Sequence, residues 1–150
     1  MTQSERRLYL ITELKKESPQ YANLPVPSDT AQQKLLLRAL LNVRMPKAAS
    51  NAFLKIQDEY LKEEIRRKGI TDINSLKPIQ PDIYLWQGDI TTLKCDAIVN
   101  AANSALLGCF CPNHACIDNA VHTFSCVELR LACNEIMQRQ GHEEATGQAK

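Results

Sequence analysis

No window of this 150-residue sequence holds the roughly 18 consecutive apolar residues that a membrane-spanning helix needs, so no such helix is expected. The first residues, Met1 to Leu14, carry Glu5, Arg6, Arg7 and Glu13 among their apolar positions, which argues against a secretory signal. Glycine and proline are few, 5 and 7, and 44% of the residues are hydrophobic, which excludes a low-complexity or disordered chain. Aromatic residues make up only 5%, and basic stretches such as Lys62 to Lys68 have none interleaved. A solvated helix face accounts for those stretches better than a nucleic-acid-binding stripe does. Neither a nucleic-acid nor a membrane partner is therefore expected.

The net charge of +1 hides an asymmetry. Up to Gln80 there are 14 Lys and Arg against 9 Asp and Glu, a balance of +5; from Pro81 onward there are 4 against 8, a balance of −4. All six cysteines (Cys95, Cys109, Cys111, Cys116, Cys126, Cys133) and all three histidines (His114, His122, His142) fall in the second part. Without a secretory signal, and hence with a cytoplasmic location expected, these cysteines read as reduced thiols, metal ligands or catalytic groups rather than a disulfide framework.

The first part reads as helices. Thr2 and Glu5 stand in capping-box relation ahead of Leu8, Ile11 and Leu14, which share a face, and that segment runs out before Pro19. A polar loop, Pro25 to Asp29, precedes a second helix over Lys34 to Arg44, stopped by Pro46. Ser50 caps a third, with Phe53, Ile56, Tyr60 and Ile65 at helical spacing and Gly69 as its stop. Residues 70–81 form a junction. Beyond it the pattern changes: Ile83 to Gln87 predicts a strand, Gly88-Asp89 a turn, and Ala97 to Asn100 a short buried strand of the parallel type. Ile117, Val121, Phe124, Val127 and Leu131 predict one helix ending at Gly141. Strand, loop, strand, loop, helix opens an α/β sheet.

The densest chemistry lies in Cys109-Phe110-Cys111-Pro112-Asn113-His114-Ala115-Cys116, four soft or borderline ligands within eight positions. Zinc suits thiolate and imidazole donors. A closed structural site would use all four; an open site would leave one cysteine out, and a position free of protein ligands lets the ion polarise a substrate oxygen or activate water. A loop of inert thiols is the plainer alternative. Just before it, Asn100-Ala101-Ala102-Asn103-Ser104 follows a predicted strand, where carboxamides could hold a polar ligand's hydroxyls or simply form Asx turns. Asp118 opens the following helix, where its charge is favoured. His122, one turn on, reads as a packed or surface histidine, Cys126 and Cys133 as core residues, and Cys95 as an ordinary turn residue.

Gln87-Gly88-Asp89-Ile90-Thr91, with Asp96-Ala97-Ile98-Val99-Asn100-Ala101-Ala102-Asn103, resembles the opening of a macrodomain, the ADP-ribose-binding module. The run from Cys109 through His122 resembles the zinc-containing bacterial subclass, in which a Cys-x4-His-x-Cys loop interrupts the usual glycine-rich stretch and a helical extension comes first. The resemblance implies an α/β fold: a helical N-terminal extension over residues 1–80, then over 81–150 the first part of a macrodomain-like three-layer α/β/α sandwich whose second half is absent.

It also implies a protein-ADP-ribose hydrolase of the sirtuin-linked class, removing ADP-ribose from ester-modified side chains, with zinc as cofactor. Mono-ADP-ribosylated protein is the implied substrate, a lipoyl-carrier protein of the glycine-cleavage H type the implied target, and a sirtuin-type ADP-ribosyltransferase the functional associate. Carried onto this sequence, Asp89 would bind the adenine amino group and Ile90 would add a backbone contact. Asn103 would orient the distal ribose, Asp118 would contact the pyrophosphate-proximal end or position water, and Cys109, His114 and Cys116 would hold zinc, with Cys111 left over. A module that binds ADP-ribose without cleaving it, or an inert partial macrodomain, is the alternative reading.

Overall fold

A computed structural model describes residues 1–150. Helix α1 (Gln3–Lys16) starts where expected: the Thr2 hydroxyl accepts from the Glu5 amide at 3.2 Å, and the Glu5 carboxylate accepts from the Thr2 amide at 2.6 Å. Its inward face is Arg7, Leu10, Ile11 and Leu14, whereas Leu8, expected on that face, is exposed. The stripe is rotated because α1 lies against two helices at once. These are α3 (Thr30–Val43) and α4 (Asn51–Lys68). A one-turn helix, α2 (Pro19–Ala22), with proline at its start, lies between α1 and the expected loop at Pro25 to Asp29. Helix α3 begins four residues before the expected Lys34 because the Asp29 carboxylate accepts from the Gln32 amide and caps the chain there. Ser50 caps α4, and Gly69, at φ 89°, ends it.

Leu10, Ile11, Leu14, Leu37, Leu40, Leu41, Phe53, Tyr60 and Val127 form one buried cluster. Each such side chain contributes roughly 1.5–3 kcal/mol of burial, so this cluster is the principal stabilising element of the chain. Val127 comes from the far end of the sequence, which ties the last helix to α1, α3 and α4.

The strands are short. β1 (Thr71–Asp72) pairs in parallel with β4 (Leu93–Lys94), and β2 (Pro78–Gln80) pairs antiparallel with β3 (Ile83–Tyr84). Two expectations fail here. The strand predicted over 83–87 stops at Tyr84, leaving Leu85 81% exposed, and 97–100 forms no strand, leaving Val99 88% exposed. A strand exists only through its neighbour's ladder of hydrogen bonds, and no strand lies alongside residues 85–87 or 97–100. The chain is thus a mixed α/β fold, with four helices ahead of the strands and two after them.

The single helix predicted from Ile117 is two, α5 (Ile117–Phe124) and α6 (Cys126–Gln140). Cys126 takes the left-handed conformation, φ 70°, and breaks the ladder. Ser125 does not cap α6. Instead Gln57 of α4 reaches across, its side-chain carbonyl accepting from the Val127 amide at 3.1 Å. Helix α5 packs on α3 and α6 on α4, which sets the N-terminal end of α5 over the polar face of α3.

Candidate metal centre

The loop from Gly108 to Cys116 is held in a shape that few sequences could take. Gly108 sits at φ 84°, and a side chain there would meet the His122 ring and the Arg130 guanidinium, both at 3.1 Å. Phe110 (φ 49°) and Asn113 (φ 55°) are also left-handed. The Phe110 ring stacks on Arg130, with the guanidinium carbon 4.6 Å from the ring centroid, and the His114 amide donates to the Cys111 carbonyl, closing a turn.

This turn brings three of the four candidate donors together: one ligand atom each from Cys109, His114 and Cys116 lies within 4.8 Å of the others. The Cys109 and Cys116 sulfurs are 4.0 Å apart. Two thiolates bound at about 2.3 Å on a tetrahedral ion stand about 3.8 Å apart, so the donor set fits zinc in chemistry and in span. Cys111 lies outside the group and is exposed. The closed four-ligand arrangement therefore does not form.

The surroundings favour a thiolate at Cys109. Burial raises the Cys109 thiol, but hydrogen bonds from the Asn119 side chain, the Cys111 backbone and Cys116 outweigh it and hold the thiol below its ordinary range. Cys116 caps α5, its sulfur accepting from the Asn119 amide at 3.4 Å. Asn119 is the hub: its carboxamide nitrogen donates to the Cys109 sulfur (3.5 Å) and the Cys111 carbonyl (3.0 Å).

Asp118 lies beside the loop and is buried. Its carboxylate accepts from the Asn100 carboxamide at 2.8 Å and faces the His122 Nε2 at 3.5 Å. Burial pushes His122 below its ordinary pKa, with the Asp118 charge opposing. Its buried Nδ1 makes no hydrogen bond of good geometry. Asn103 is exposed, with its amide donating to the Gly108 carbonyl at 3.0 Å and its carbonyl accepting from Ala105 N in an Asx turn. Asn100, Asn103, Asp118 and the three donors thus belong to one connected group.

Asp89 and Ile90 belong to a separate corner. The Asp89 carboxylate caps the turn Ile90–Thr92, accepting from the Thr91 amide (3.0 Å) and hydroxyl (2.6 Å), and pairs with Lys68 of α4 at 2.9 Å. Partial burial raises its pKa, but the Thr91 and Lys68 bonds prevail and lower it. Ile90 is half-buried. Cys126 and Cys133, expected in the core, are half-buried, and burial pushes both thiols up. Cys95 is half-buried beside the Ala97 carbonyl.

Sequence reading missed Asn119, Arg38, Asn42 and Arg130. Asn42 did leave a signal, as a lone polar residue in the apolar run Leu40-Leu41-Asn42-Val43. The other three are ordinary helix-surface residue types, and only the packing of α3, α5 and α6 brings them to the loop.

No protein-family model matches the chain. Among curated proteins, it is 57% identical to one named protein-ADP-ribose hydrolase from Treponema medium, over all of this chain and 59% of that protein. It is 48% identical to a protein of the same name from Staphylococcus aureus strain MRSA252, over 95% of this chain and 53% of that one. A probable bifunctional ADP-ribose hydrolase/ADP-ribosyltransferase from Fusarium oxysporum f. sp. cubense is 40% identical over 80% of this chain and 22% of its own length. The chain therefore spans somewhat more than half the length of the first two relatives.

Proposed function

We propose that this chain is part of a zinc-dependent protein-ADP-ribose hydrolase, with residues 1–80 as its helical extension and 81–150 as the first portion of its macrodomain. The observation that carries the reading is the convergence of Cys109, His114 and Cys116 within 4.8 Å, in a chain 57% identical to a protein named for this activity.

The reaction is the hydrolysis of an ADP-ribosyl ester. Water supplies a hydroxyl to the distal ribose and a proton to the carboxylate it leaves. Cys109, His114 and Cys116 would hold the zinc ion, which would supply a Lewis acid for negative charge developing on oxygen. The chain's own residues do the rest. Asn103, tied to the loop through the Gly108 carbonyl, orients the distal ribose. Asp118, fixed by Asn100, presents its carboxylate to the pyrophosphate-proximal end or to water. Asp89 receives the adenine amino group; a carboxylate has about four acceptor positions, so its bonds to Thr91 and Lys68 leave room for one more. Ile90 adds a backbone contact beside it. The bifunctional name of the Fusarium relative supports a link to an ADP-ribosyltransferase, which we assign to the sirtuin type, with a lipoyl-carrier protein as target. The location we assign is the cytoplasm; no helix is long and apolar enough to cross a membrane.

The test is release of free ADP-ribose from a protein mono-ADP-ribosylated on a carboxylate side chain. The wild-type chain releases it, zinc chelation stops release, and Asn103→Ala slows it by about 10²-fold or more, the scale of a lost positioning contact. Binding of ADP-ribose without release overturns hydrolysis in favour of a binding module, and release that survives chelation overturns the metal's role.

A further inference from the structure

The helical extension touches the candidate metal loop at two points, both on one face of α3. Arg38 and Asn42 stand four residues apart, so their side chains project from adjacent turns in the same direction. Each grips a different part of the loop.

Arg38 uses one guanidinium for two purposes. Its Nη2 donates to the backbone carbonyl of His114 at 3.0 Å, and Nη2 and Nε both donate to the Asn119 side-chain oxygen, at 2.9 and 3.3 Å. With its oxygen taken, the Asn119 carboxamide can only turn its nitrogen toward Cys109 and Cys111. Arg38 thereby sets the backbone of the candidate imidazole donor directly and orients, through Asn119, the group that donates to a candidate thiolate. Asn42 is 1% exposed, and its carbonyl accepts from the Asn113 amide at 2.9 Å, pinning the left-handed residue just before His114. Its amide donates to the Thr123 hydroxyl at 2.8 Å, and that hydroxyl donates to the Asn119 carbonyl at 2.7 Å. Both routes from α3 therefore end on Asn119 and on the segment 113–114.

We propose that Arg38 and Asn42 are positioning residues of the metal centre, so that the helical extension supplies the outer shell that holds the Cys109, His114 and Cys116 donors in a zinc-binding arrangement. The inference rests on the metal-centre reading above. Outer partners of this kind fix ligand orientation, and their loss typically weakens metal affinity by about 10- to 100-fold. A planar guanidinium suits the task because its forked donors reach a carbonyl and a carboxamide at once, which a lysine ammonium on a flexible stem does not reproduce.

The experiment measures zinc affinity by competition with a chromophoric chelator, together with the sulfur-to-metal absorption of the cobalt-loaded chain. The wild type, Arg38→Gln, Arg38→Lys and Arg6→Gln are compared, with circular dichroism of each metal-free chain reporting the fold. Arg6 pairs with Glu59 within the helical extension, so its replacement perturbs the same helices without touching the loop. Arg38→Gln is expected to lose about 10- to 100-fold in affinity and to alter the cobalt spectrum, while Arg6→Gln keeps wild-type affinity. Arg38→Lys shows a smaller loss in the same direction and carries the test if the glutamine variant does not fold. Wild-type affinity in both Arg38 variants, or an equal loss in Arg6→Gln, overturns the assignment while leaving the metal centre standing. A wild-type chain that binds no zinc overturns both.

Discussion

Gly108 occupies a position that no other residue can take without displacing something. Its φ of 84° favours glycine, and an added Cβ would press on His122 and Arg130 at 3.1 Å. Gly108→Ala is expected to destabilise the chain by about 1–3 kcal/mol, read as a lower midpoint in urea, because backbone strain and crowding act together there. An unchanged midpoint would mean the loop relaxes freely. At this scale the sequence was informative where chemistry is dense and silent where it depends on packing. The stretch Cys109 to Cys116 stood out by its density of possible ligands, the family resemblance implied Cys109, His114 and Cys116 among them, and the structure brings the donor atoms of those three together. Asn119, which touches both sulfurs, could not be read, because a helix-surface asparagine acquires that role only once α5 meets the loop.

Among the elements, caps were legible and pairings were not. Thr2 with Glu5, Ser50 and Gly69 act locally, within one turn of the backbone they satisfy, so sequence alone located three helix ends. The start of α6 is different, since its cap, Gln57, is 70 residues away in the chain. Gln57→Met keeps the bulk but leaves the Val127 amide buried without an acceptor. The expected cost is about 1–3 kcal/mol by chemical denaturation, with faster hydrogen exchange at the Val127 amide in particular. Unchanged exchange there would show that α6 needs no acceptor from α4. The same distinction explains the failed strand at 97–100. A short apolar run marks a segment as able to pair, but only a neighbouring strand makes it one.

On the scale of the whole molecule, the helical part and the loop-bearing part share one core. Val127 sits among the leucines of α1 and α3, and Arg130 of α6 donates to the backbone carbonyls of Leu41 and Arg44 at the end of α3. That sharing was not legible, because composition and charge divide the sequence near Gln80 whereas the packing crosses that line. It also gives the helical part a direct bearing on the loop chemistry, through Arg38 and Asn42. The chemistry of the loop depends on whether Cys109, His114 and Cys116 hold a metal ion. The most direct measurement is the zinc content of the purified chain and of two serine variants, by atomic absorption. One zinc per chain is expected, kept by Cys111→Ser and lost from Cys116→Ser. A zinc-free wild-type chain, or zinc that leaves with Cys111 and stays without Cys116, is incompatible with the proposed centre.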